Sequence, residues 1–147
     1  MRTSKLARHA ATAFTAALVA LGISAGTANA ADVTGSGYSY LAPDPYDAGG
    51  YDAIARLNYD GVTKIAVRFH AYDEYLRLGN TTGSDAYVNV FYTPKGSSKT
   101  YEYNFHVGRD SSWRKELGND GDLNEGGSIR IQLCTLLNCS GWYWGTT

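Results

Sequence analysis

The chain has 147 residues and a formal net charge of −1, a length that fits one domain with a real hydrophobic core. Arg2, Lys5 and Arg8 are the only charged residues among the first thirty, so the rest of the chain sets 10 of the 13 basic residues against all 14 acids. That acidic balance argues against a nucleic-acid binder, which needs a basic stripe, and a 44% apolar content with 12 tyrosines and 3 tryptophans excludes a disordered chain.

Residues 1–30 read as a secretory signal peptide. Arg2, Lys5 and Arg8 form its positive start, and Ala10 to Ile23 is a weakly apolar run. Ala28-Asn29-Ala30 is an A-x-A site, which places cleavage between Ala30 and Ala31. The run is short of the ~20 residues that span a bilayer, and the residue directly after the cut is Ala31, not a lipid-bearing cysteine. The mature protein is therefore expected outside the cell and not membrane-anchored. Residues 31–50 are rich in Gly, Ser, Pro, Asp and Tyr without a steady period, and read as an extended N-terminal arm. Tyr38, Tyr40 and Tyr46 are its docking candidates.

From Tyr51 onward the period is two. Ile65, Val67, Phe69 and Ala71 alternate with Lys64, Arg68, His70 and Tyr72, which marks Val62 to Tyr72 as a strand with one buried and one wet face. The turn Asn58-Tyr59-Asp60-Gly61 makes Ala53 to Asn58 its hairpin partner. Ala86 to Thr93 and Lys99 to Val107 are two further strands, joined through Pro94 to Ser98. Trp113 to Leu117 reads as a short strand or a helical turn, and Asn119 to Gly127 as a polar loop. Ser128 to Cys134 alternates again, and Gly141 to Trp144 is the last strand. About seven short strands without helical period imply an all-β fold, a small antiparallel β-sandwich or barrel over residues 51–147. It is expected to be a monomer.

Cys134 and Cys139 are the only two cysteines. In an exported domain they read as one disulfide that locks a local C-terminal hairpin. The metal alternative is weak, because two thiolates need partner ligands and only His70 and His106 remain beyond residue 30.

The ending Cys134-x4-Cys139-Ser140-Gly141-Trp142-Tyr143-Trp144 is the most distinctive stretch. Alternation puts Trp142 and Trp144 on one face and Tyr143 on the other. Facing out, such rings are flat platforms for sugars or peptides. Facing in, they close the core, and because tryptophan is usually well buried this is the expected placement, with one ring inward and one at the rim as the remaining alternative. The signal peptide and this ending resemble those of uncharacterised small secreted β-proteins of actinomycetes that end in Cys-x4-Cys-Ser-x-Trp. The resemblance implies secretion and a disulfide-closed last hairpin, and transfers no activity and no functional residue.

Leu136 and Leu137 sit at the tip of the disulfide loop. A stapled apolar tip suits contact with another protein, a protease included, since a rigid loop loses little entropy on binding. The expected placement is again inward, with both leucines capping the core. Asp120, Asp122 and Asn124 match the first alternate ligands of a calcium loop, but Glu125 stands where the glycine belongs and Ile131 where the bidentate acid belongs. A solvated turn is the expectation, with no metal and no cofactor. His70 and His106 lie on wet faces outside any nucleophile or metalloprotease motif.

These absences favour a secreted, non-enzymatic binding protein. Its candidate ligand residues are Trp142, Tyr143 and Trp144 for a polysaccharide or cell-wall surface. Leu136 and Leu137 serve the alternative, a protein-binding or inhibitor-like loop directed at an extracellular protein. A small hydrolase using paired carboxylates is the remaining alternative.

Overall fold

The computed structural model describes residues 31–41, 50–118 and 123–147. The expected signal peptide, Tyr46, Asp120 and Asp122 lie outside the described residues. Nine strands form, with no helix among the described residues: β1 (Val33–Leu41), β2 (Tyr51–Tyr59), β3 (Val62–His70), β4 (Tyr75–Asn80), β5 (Ala86–Thr93), β6 (Tyr101–Val107), β7 (Ser111–Glu116), β8 (Ser128–Thr135) and β9 (Tyr143–Thr146). They make one antiparallel sheet in the order β6-β5-β8-β9-β2-β3-β4-β7, with β1 laid along β2. The sheet is nearly closed into a barrel. At the remaining gap, Phe105 of β6 meets Trp113 of β7 edge to face at 5.9 Å.

The period-two pattern does the folding. In β3, Ile65, Val67 and Phe69 are buried while the residues between them face out. The β2–β3 turn needs two residues with positive φ. Asp60 and Gly61 supply 50° and 79°, the mirror-image geometry that matches strand twist. Inward residues of both halves meet in one core, in which Phe69, Leu57, Ile65, Leu76, Ile129, Ile131 and Leu133 are almost fully buried. Gly145 opens space for the largest of them. A Cβ there would stand 2.9 Å from the Phe69 ring and 2.5 Å from the Tyr51 carbonyl oxygen.

Three elements depart from the sequence expectation. Within the expected extended arm, residues 33–41 form a strand, in register with β2 from Val33↔Tyr59 to Leu41↔Tyr51. The glycines that gave this stretch its loop character are contact points. A Cβ on Gly35 would meet the Ser140 backbone at 2.6 Å, and one on Gly37 would meet the Tyr143 ring at 2.6 Å. β4 is an additional strand, pairing β3 on one side and β7 on the other. The last strand runs from Tyr143 rather than Gly141, two residues later than expected.

The disulfide joins Cys134 to Cys139 and closes the β8–β9 connection. Backbone bonds frame it, from Ser140 N–H to the Leu133 carbonyl and from Thr135 N–H to the Asn138 carbonyl, each 2.7 Å. Closing so short a loop removes little chain entropy, worth roughly 2 kcal/mol. The Cys134→Ser/Cys139→Ser variant is expected to lose that amount in urea unfolding while keeping the fold. An unchanged midpoint would show that the backbone bonds alone hold the loop.

Candidate functional site

The outer face of β6-β5-β8-β9 carries the site. In β5, Val88 and Val90 are buried, so Tyr87, Asn89 and Phe91 must face out. Strand register then sets two rows across the sheet. Asn104, Asn89 and Gln132 stand opposite one another, and so do Glu102, Phe91, Arg130 and Trp144. Trp142 lies just before β9 on the same face, its ring 5.1 Å from that of Phe91.

Trp142 and Trp144 are exposed, at 37% and 54%. The expected core placement of both is overturned. β9 turns Tyr143 and Gly145 inward, where Gly145 accommodates Phe69 and Gly37 accommodates the Tyr143 ring, so Trp144 between them faces out. Tyr143 is half-buried and packs against the core. It belongs to the scaffold rather than to the aromatic face.

Arg130 organises the rings. Its guanidinium carbon lies over Phe91 at 5.0 Å, over Trp144 at 5.2 Å and over Trp142 at 5.5 Å. Each cation–π contact of this kind is worth about 0.5–1 kcal/mol at an exposed site. Arg130 has no carboxylate partner among the described residues. The amide row is equally ordered. Gln132 donates to the Ser140 carbonyl at 3.1 Å and accepts from Asn89 at 3.3 Å. Asn104 donates to Glu102 at 3.4 Å. The face is therefore a preorganised patch of planar rings beside planar amides.

Leu136 and Leu137 do not cap the core. They are 89% and 86% exposed, because the four residues between the cysteines are too few to fold back. They border a separate cleft of about 520 Å³, with Val33, Tyr59, Tyr87 and Arg109 among its walls. Asn124, the described member of the calcium trio, uses its backbone carbonyl to accept from Tyr92, Gly127 and Thr147.

A buried ionic cluster lies under the opposite face. Asp52, 2% exposed, accepts from Arg68 at 2.6 and 2.9 Å and from the Ala71 N–H at 2.9 Å. Tyr40 is pushed up to about 12 by burial and by its bond to Asp52. His70 stands 3.6 Å from Asp52 and stacks on Tyr75 at 4.3 Å. It is 18% exposed, so it is not the wet-face histidine that alternation implied. Burial, and then the nearby Arg68, lower its pKa from 6.5. The folded state thus resists a proton that the unfolded chain accepts. Stability should fall as pH drops below about 6.5 and level off below the folded pKa. Urea midpoints at pH 7.5 and 5.5 should differ in the wild type and converge in His70→Gln. The same slope in that variant would remove His70 as the cause.

Sequence reasoning found Trp142 and Trp144 but missed Phe91, Arg130, Asn89, Asn104 and Gln132. Each stands at an outward position of a strand read correctly, but only the β5–β8–β9 register brings them together. Comparison with protein-family models, with curated proteins and with solved structures finds no match.

Proposed function

We propose that this chain is an exported, monomeric, non-enzymatic binding protein that recognises polysaccharide through the outer face of β5, β8 and β9. The carrying observation is that two exposed tryptophans share that face with Phe91, Arg130 and an in-register row of amides. Rings offer stacking surface to the apolar faces of sugars, and amides offer the donor and acceptor pairs that hydroxyls need. Arg130 holds the rings in place before ligand arrives, so little side-chain entropy is lost on binding. The disulfide is compatible with an extracellular location.

Pull-down on insoluble cellulose, chitin, xylan, mannan and Gram-positive cell walls tests the reading. Retention on at least one of them that survives Leu136→Ala/Leu137→Ala is expected. A second reading has its own observation, the exposure of Leu136 and Leu137 beside a cleft. It makes the loop a contact for an extracellular protein. Absence of retention on all these glycans, with capture of a secreted protein lost in the leucine variant, would favour it.

A further inference from the structure

The outer face of β2, β3, β4 and β7 is basic, although the chain beyond residue 30 has more acids than bases. Arg68, Arg77 and Arg114 are direct cross-strand neighbours, with Cα atoms about 5 Å apart from strand to strand. Arg56 flanks them on β2. Two adjoining depressions of about 310 and 250 Å³ run along this face, with Arg77 and Ser112 in the wall of both. The larger one is also lined by the small residues Ala66 and Gly79, beside Ile54, Val67 and Leu78. A Cβ on Gly79 would meet nothing within 4 Å.

Like charges directly opposite on neighbouring strands destabilise a sheet. The outer two arginines of the row are compensated. Arg68 pairs with buried Asp52 at 2.6 Å, and Arg114 lies 3.6 Å from Asp73 and 3.7 Å from Glu116. Arg77, between them, has no carboxylate partner among the described residues. A repulsive arrangement with an uncompensated centre beside open depressions is one that an anion would complete.

We propose that this face is a second binding site, for an acidic polysaccharide whose sulfate or carboxylate groups are held by Arg56, Arg77 and Arg114. Guanidinium forks suit both groups. Single-stranded nucleic acid fits less well, because it needs free rings for base stacking. The rings here are already covered, Tyr75 by Arg114 at 3.7 Å, Tyr38 by Arg56 at 5.1 Å and Tyr40 by Arg68 at 5.2 Å. An acidic protein fits less well too, since both depressions are open to solvent and neither encloses an anchor side chain. The site is separate from the aromatic face and does not depend on it.

Affinity chromatography and titration on dextran sulfate and polygalacturonate, with neutral dextran and single-stranded DNA alongside, test the proposal. The wild type should bind at least one of the acidic polymers, release it with salt, ignore neutral dextran, and bind DNA at least tenfold more weakly. Arg77→Gln/Arg114→Gln should lower that affinity at least tenfold. Gly79→Glu, which adds a negative charge in the larger depression without a clash, should do the same, while Lys95→Gln and Trp144→Ala leave it intact. Thermal melts confirm that each variant folds. Failure of the wild type to bind either acidic polymer overturns the proposal, as does affinity unchanged in both arginine-face variants. DNA binding as tight as that of the polysaccharide also overturns it. Loss of neutral-glycan binding in Trp144→Ala would leave this site untouched, so the two readings fail separately.

Discussion

Phe69→Ala is expected to cost about 3–5 kcal/mol of stability, the range for truncating a buried aromatic side chain. Phe69 is fully buried and is the largest such side chain in the core. Its ring lies in the space that Gly145 leaves on β9, beside Ile129 of β8, and its strand partner across β2 is the small Ala53. The ring thus ties β3 to β9, the two halves of the barrel wall. The converse substitution, Gly145→Ala, is expected to cost about 1–3 kcal/mol by overpacking. Because the two positions share one space, the double variant should be less destabilised than the sum of the singles. Urea unfolding of the four proteins measures the coupling. Strict additivity would mean that Gly145 and Phe69 do not compete for that space.

The second large effect concerns binding. Trp144→Ala should weaken glycan affinity by about thirtyfold or more, since loss of an aromatic anchor typically costs about 2 kcal/mol or more. Stability should change little, because the indole is exposed and its backbone carbonyl keeps the bond from the Ser39 hydroxyl. Arg130→Ala should weaken binding as well, by freeing three rings that it now holds. Arg130→Lys keeps the charge without the planar group and should recover only part of the loss. Isothermal titration on the retained glycan, beside thermal melts, separates the two quantities. If Trp144→Ala bound as the wild type does, the aromatic face would not be the site.

Much of the barrel was legible because its core strands alternate cleanly. Ile65, Val67 and Phe69 on one side of β3, and Ile129, Ile131 and Leu133 on one side of β8, leave no other assignment. β4 was not legible for a physical reason. Its inward run Leu76, Leu78, Asn80 ends in a buried amide whose partners are loop groups, Thr82 N–H at 2.9 Å and the Ser84 carbonyl at 2.8 Å. A polar residue at an inward position hides a strand end. β1 was hidden by Gly35 and Gly37, which read as loop but allow β1 to pass close to Ser140 and Tyr143.

For the site, alternation correctly separated Trp142 and Trp144 from Tyr143. It left open which side was inside, and the usual burial of tryptophan pointed the wrong way. The deciding residue was Gly145, whose lack of a side chain is filled by Phe69 from another strand. That information is long-range and sits in no local pattern. Arg130 was invisible for the same reason, since its three aromatic neighbours come from β5, from β9 and from the segment just before β9.

The most direct test is amide and indole chemical-shift mapping on the isotope-labelled protein during titration with cello-, chito-, xylo- and mannohexaose. With at least one of these sugars, the changes should concentrate on Asn89, Phe91, Arg130, Gln132 and the Trp142 and Trp144 side chains, and leave Leu136 and Leu137 unmoved. Changes centred on Leu136, Leu137 and Asn138, or no change with any of the four, would contradict recognition of glycans on this face.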